Sequence, residues 1–215
     1  MSSLLHRARF YSTAASLAQL DGPGFNDDIP EVAFVGRSNA GKSTAINLLC
    51  NQRGLAFASK TPGRTQLLNF FLVADRDRSW GYLVDLPGYG YAASSGTTRA
   101  GWDALLGGYL RERRQLVGVV LLMDSRRGLT ELDERLIDWV TPAQKPIHVL
   151  LTKTDKLNRT ETRRALEGIQ RALEGSPHTV QTFSALHRTG LEDADARVLQ
   201  WFGAPPTAWP KKKPQ

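Results

Sequence analysis

The segment Gly36-Arg37-Ser38-Asn39-Ala40-Gly41-Lys42-Ser43 has the spacing G-x-x-x-x-G-K-[ST]. Such a loop suits phosphate for a stereochemical reason: backbone N–H groups can surround a β-phosphate only where the chain turns tightly, which glycine permits. Lys42 has the reach to neutralise β- and γ-phosphates, and the Ser43 hydroxyl is a magnesium ligand. Thr44 carries the chain into a helix whose positive end adds to the field. Asp85-Leu86-Pro87-Gly88 is a weak pattern alone, but after a phosphate loop and at a strand end it gains meaning. The acid can hold a magnesium-bound water, and the Gly88 amide can meet a γ-phosphate.

Two further segments could read a base. In Thr152-Lys153-Thr154-Asp155-Lys156 the Asp155 carboxylate can accept from guanine N1–H and N2–H₂, a donor pair adenine lacks, while the stem of Lys153 covers the ring. Phe183-Ser184-Ala185-Leu186 follows a strand, where a backbone N–H can meet guanine O6. Between the loop's helix and the next strand lies Thr61-Pro62-Gly63-Arg64-Thr65-Gln66, whose Gly63, Arg64 and Thr65 are expected beside the phosphates. Thr65, next to the strand, is the expected second protein ligand of magnesium, ahead of Thr61; the plainer alternative is a Pro-Gly turn with solvated hydroxyls. Order there would depend on the γ-phosphate, which turns hydrolysis into a conformational switch. The residues expected to act on that phosphate are Lys42, Thr65 and Gly88; Ser43 and Thr65 hold the metal directly, and Asp85 through water.

Positioning these residues takes strands that end at one edge. Val32–Val35, Gln66–Val73, Trp80–Leu86, Val117–Met123, Ile147–Leu151 and Val180–Phe183 read as six strands. The link Asp75-Arg76-Asp77-Arg78 is so short that the second and third form a hairpin, making one strand antiparallel. Leucine and aromatic stripes at helical spacing (Trp102–Leu110, Leu132–Val140, Leu166–Leu173, Leu191–Trp201) read as core-facing helices. The expectation is a three-layer α/β/α, Ras-like fold with a mostly parallel six-stranded sheet. Residues 1–30 read as an N-terminal extension and linker, 31–203 as the nucleotide domain, and 204–215 as a loose basic tail.

Composition sets bounds. The 215 residues, 41% hydrophobic and 23% charged, suit one globular domain. Arg7, Arg9 and Gln19 interrupt the apolar residues near the start, and no run reaches the ~20 residues that span a bilayer. The single cysteine, Cys50, reads as a small apolar residue closing a helix and fits a reducing compartment, so a cytoplasmic protein without a membrane partner is expected. The formal charge of +7 favours an anionic partner. Arg99, Arg111, Arg113 and Arg114, Arg126-Arg127, Arg159, Arg163, Arg164 and Arg171, and Lys211-Lys212-Lys213 supply it, with Glu112, Glu161 and Glu167 close by.

Together, Gly36 to Thr44, Thr61-Pro62-Gly63-Arg64-Thr65-Gln66, Asp85-Leu86-Pro87-Gly88-Tyr89-Gly90-Tyr91, Thr152-Lys153-Thr154-Asp155-Lys156 and Ser184-Ala185-Leu186 resemble the EngB (YihA/YsxC) family of bacterial GTPases, over roughly residues 10–202. The resemblance implies binding of GTP and GDP, dependence on Mg2+, a role in assembling the large ribosomal subunit with rRNA as partner, and a link to cell division and septation. Thr152 stands where most GTPases have Asn, which is the family's own form; Thr154 replaces the usual Ala, on what is expected to be the solvent side. Tyr89 stands where Ras-type enzymes place the water-orienting Gln, so slow intrinsic hydrolysis is expected. In similar GTPases the loop Asn helps hold K+; Asn39 reads equally as that ligand or as a loop hydrogen-bonding group. The other readings are a nucleotide kinase, which has no use for the guanine-reading segments, and a nucleotide-switched binding module with negligible turnover. The fold requires no partner chain, and a monomer is the default.

Overall fold

The computed structural model describes residues 2–22, 25, 28–57, 67–89, 96–207 and 209, the helix over 96–103 by its backbone only. Among these residues the sheet has seven strands: β1 (Ala8–Ala14), β2 (Glu31–Gly36), β3 (Leu68–Ala74), β4 (Ser79–Asp85), β5 (Leu116–Asp124), β6 (Ile147–Thr152) and β7 (Thr179–Thr182), in the order β1-β3-β4-β2-β5-β6-β7. Strands β4, β2, β5, β6 and β7 are parallel neighbours, and β3 runs antiparallel between β4 and β1. The hairpin and its one reversed strand are as expected. The seventh strand corrects the expected six: β1 lies in the stretch read as an extension and pairs with β3 from Ala8↔Val73 to Ala14↔Leu68.

Among the described residues, six α-helices flank the sheet: α1 (Leu17–Leu20), α2 (Lys42–Leu49), α3 (Gly96–Glu112), α4 (Glu131–Val140), α5 (Arg159–Ala172) and α6 (Leu191–Trp201). Alternation along β2 explains the layering. Val32 and Phe34 point to one core, shared with Ile46 and Leu49 of α2 and Val198 and Leu199 of α6. Ala33 and Val35 point to the other, with Leu106, Tyr109 and Leu110 of α3, Leu136 of α4 and Ile169 of α5. A central strand buried on both faces must read as a continuous apolar run, as this one does.

Described residues in both terminal stretches make packing contacts. Phe25, in the stretch read as linker, packs edge-on against Phe70 with centroids 4.8 Å apart. The buried Asp195 carboxylate of α6 accepts from the Ser3 hydroxyl, from Thr207 Oγ1 at 2.7 Å and from Trp209 Nε1 at 3.4 Å. Arg113, counted above among surface cations, is instead buried: its guanidinium forks onto Glu31 at 2.7 and 3.0 Å, and Tyr109 donates to the same carboxylate at 2.7 Å. That cluster fixes the end of α3 to the start of β2, the strand that leads into the phosphate loop. Cys50 caps α2 and is fully buried, as read, and burial pushes its thiol up to about 12.

Candidate functional site

The chemistry-bearing segments converge at the carboxyl ends of β2, β4, β5 and β6, where open α/β sheets place ligands. Gly36 ends β2 so close to β5 that a Cβ would stand 2.6 Å from the Leu122 carbonyl oxygen. Gly41, at φ +97°, takes the left-handed turn that delivers Lys42 and Ser43 to the first turn of α2. Asn39 is also left-handed, at φ +64°, and stays exposed.

The site's acids are already engaged. Lys42 Nζ donates to the Asp85 carboxylate at the end of β4, both side chains being largely buried. Burial lifts the Asp85 carboxyl above its usual range, with Lys42 opposing the rise. The segment after Asp85 runs beside the phosphate loop: Tyr89 N donates to Gly36 O at 3.3 Å and Ser38 N to Tyr89 O at 3.1 Å. Gly88 therefore lies against the loop, beside Ser38. The Tyr89 ring is buried, and its hydroxyl donates to Asp133, which also accepts from Thr130 N at 2.9 Å in the cap of α4. A cavity of about 370 Å³ opens here, bordered by Arg37, Tyr89, Arg127, Thr130 and Lys153.

On the base-reading side, Thr152 Oγ1 lies 2.7 Å from Ala40 O and 3.0 Å from Met123 O, tying the phosphate loop to β5 and β6. Lys153 is left-handed at φ +61°, and its Nζ donates to Asn39 O at 2.7 Å and to Asp124 Oδ2 at 2.9 Å. Asp155 accepts from Ser184 Oγ at 2.7 Å and has Lys156 Nζ at 3.6 Å; the Ser184 bond leads in holding its carboxyl below the usual range. Phe183 is buried and its carbonyl accepts from Thr154 Oγ1 at 3.2 Å, so the hydroxyl of the half-buried Thr154 is bonded to the protein. Gly36 to Ser43, Asp85, Gly88, Thr152 to Lys156 and Phe183 to Ala185 thus share one edge of the sheet. Gly63, Arg64 and Thr65 lie outside the described residues, and among those described no three His, Cys, Asp or Glu cluster into a metal site. Sequence reasoning missed Asp124 and Asp133; Asp124 ends β5 as Asp85 ends β4, a signal that was available.

Fold and site together define a P-loop GTPase. The family described as 50S ribosome-binding GTPase matches residues 31–153. A probable GTP-binding protein EngB of Burkholderia pseudomallei is 55% identical over 208 residues, covering 94% of this chain and 93% of that protein. Another from Burkholderia multivorans is 53% identical over 221 residues, covering 100% and 99%. The chain belongs to the EngB family of GTP-binding proteins. Among solved structures, a probable GTP-binding protein EngB superposes with a TM-score of 0.62 at 19% identity, covering 80% of this chain and 98% of that one. Era in complex with MgGDPNP and a segment of 16S ribosomal RNA superposes with a TM-score of 0.64 at 20% identity, covering 87% and 59%. No described helix is long and apolar enough to cross a membrane.

Proposed function

We propose that this GTPase is a magnesium-dependent, slowly hydrolysing switch in the assembly of the large ribosomal subunit, with effects on cell division and septation, and with rRNA phosphates among its contacts. The observation that carries the site reading is Asp155, set by Ser184 beside a lysine that bridges to the phosphate loop. The loop amides of residues 37–43 surround the β-phosphate, Lys42 leaves Asp85 to neutralise the β- and γ-phosphates, and Gly88 offers its amide to the γ-phosphate. The donors fit a hard cation: Ser43 follows the lysine whose ammonium holds the Asp85 carboxylate, so an oxygen donor and an acid stand at one corner of the loop. Mg2+ held there would neutralise negative charge on the phosphates. Thr65 is proposed as its other ligand.

Tyr89 supports the slow rate. With its ring buried and its hydroxyl committed to Asp133, it does not orient an attacking water. That task falls to the backbone, to a partner, or to K+ held by the exposed Asn39. Turnover at equal ionic strength is expected to be at least about tenfold faster in potassium than in sodium, since one neutralised phosphate charge lowers a barrier by one or two kcal/mol; equal rates remove the potassium role. The same tyrosine also favours a second reading, a nucleotide-switched binding module with negligible turnover.

Co-sedimentation with large ribosomal subunits tests the partner. Protein carrying a non-hydrolysable GTP analogue is expected to pellet with the particles and to remain in the supernatant with GDP. Binding should weaken steeply with salt, as phosphate contacts do. No pelleting in either state would overturn the ribosomal reading while leaving the nucleotide site intact. Exposed cations remain for such a contact, including Arg111, Arg114, Arg127, Arg159 and Arg164, whereas Arg113 and Arg126 are paired.

A further inference from the structure

The acid at the end of β5 is tied to the phosphate loop through Lys153, whose ammonium bonds both Asp124 and the Asn39 carbonyl. Asp124 pairs with Thr152 across the parallel ladder, so it sits one residue from Lys153 in the frame of the sheet. Its side chain is 8% exposed, and three charged bonds converge on it: Lys153 Nζ at 2.9 Å on Oδ2, Arg126 Nη2 at 2.6 Å on Oδ2, and Arg126 Nε at 2.8 Å on Oδ1. The Arg126 backbone amide adds a fourth contact, at 3.2 Å. Arg126 leads in holding the carboxyl far below the usual range, so Asp124 stays charged at any pH at which the protein is studied.

We propose that Asp124 is a positioning residue for guanine nucleotides, anchoring the ammonium of Lys153 across the phosphate loop so that the lysine stem is fixed as one wall of the base site. The geometry gives the reason. A left-handed backbone at Lys153 aims the side chain back toward residue 39, and a flexible four-carbon stem held only at its root would lose rotamer freedom on covering a base. Bonded at its tip to Asp124 and to the Asn39 carbonyl, the stem is ordered before the nucleotide arrives, and that entropy is no longer charged to binding. Arg126, 48% exposed, fills the remaining lone pairs from the solvent side, while Lys153 is the partner that reaches the phosphate loop.

The inference rests on the reading of Lys153 as a base-covering residue, and the test separates the two. Displacement of fluorescent GDP from wild-type protein by GDP and ADP establishes the guanine preference; if there is none, the site reading itself fails. Given that preference, Asp124→Asn, close in shape but uncharged, is expected to weaken GDP binding about tenfold. Its thermal melting should stay within a few degrees of wild type, and Asp124→Glu, which restores the charge, should recover most of the affinity. Lys153→Ala weakens binding by itself, and adding Asp124→Asn to it should cost less than about twofold more, because the anchor has nothing left to hold. Arg126→Ala should bind within about twofold of wild type. Independent, additive losses from Asp124→Asn and Lys153→Ala, or an Arg126→Ala loss as large as that of Asp124→Asn, would overturn the proposal. So would wild-type affinity in Asp124→Asn.

Discussion

Exchange of Asp155 for alanine is expected to weaken GDP binding by about a thousandfold while leaving the weak binding of ADP nearly unchanged, which erases the base preference. The physical basis is a carboxylate pre-set as a pure acceptor. Ser184 Oγ, 2.7 Å away, and Lys156 favour its ionised form, so at neutral pH it presents only lone pairs. In the proposed site, guanine would meet it with two adjacent N–H donors. Each bond to a charged partner contributes roughly 1.5–3 kcal/mol in mutational series, so the pair supplies about 4 kcal/mol, a factor near one thousand. Adenine has no such pair and would strand the carboxylate, which is why sites built on hydrogen bonds discriminate far more sharply than apolar pockets do. Titration calorimetry with GDP and ADP on both proteins measures the ratio directly. Retention of the guanine preference by Asp155→Ala would mean that the base is read elsewhere, and the Lys153 and Asp124 arguments would then lose their footing.

What could be seen in the sequence and what could not divides along a physical line. The run Val32–Val35, the glycines after it and the helix after those are local features, since each residue's conformation follows from its neighbours. The strand, the loop and α2 stand where that pattern puts them. Strand β1 was invisible for the opposite reason. Arg9, Phe10 and Tyr11 are all exposed, so no alternation of apolar and polar residues marks a buried face. Only pairing with β3 makes the segment a strand. Side-chain partnerships were similarly hidden. Arg113 reads as one more surface cation until the fold brings it to Glu31, 82 residues away in sequence. Asp124 reads as the polar end of a strand until Lys153 arrives from the next one. Spacing along the chain reports which elements form; it says little about which charges meet across them, because that is decided by strand order.

The contact between Lys42 and Asp85 has the second large consequence, and its sign depends on the metal. Lys42→Ala is expected to cost GTP about a thousandfold in affinity, because this largely buried ammonium is the cation proposed to neutralise the β- and γ-phosphates. It also leaves Asp85 buried with its main partner removed, and burial already favours the neutral form of that acid, so lowered thermal stability should accompany the loss. Asp85→Asn separates the two roles. Without magnesium the Asp85 carboxylate competes with phosphate for Lys42 and repels it, so the asparagine variant is expected to bind GDP about tenfold more tightly than wild type in a chelating buffer. With magnesium the same variant lacks the acid proposed to hold the metal's water, and GTP affinity is expected to fall about tenfold. Fluorescent-nucleotide titrations with chelator and with millimolar magnesium measure both arms. A change of the same sign in the two buffers would show that Asp85 does not hold Lys42 in reserve for the phosphates. The opposite signs expected here follow from the Lys42–Asp85 contact together with the proposed roles: the ammonium held by a protein acid in this structure would pass to a phosphate, and a cation at the acid would favour that exchange.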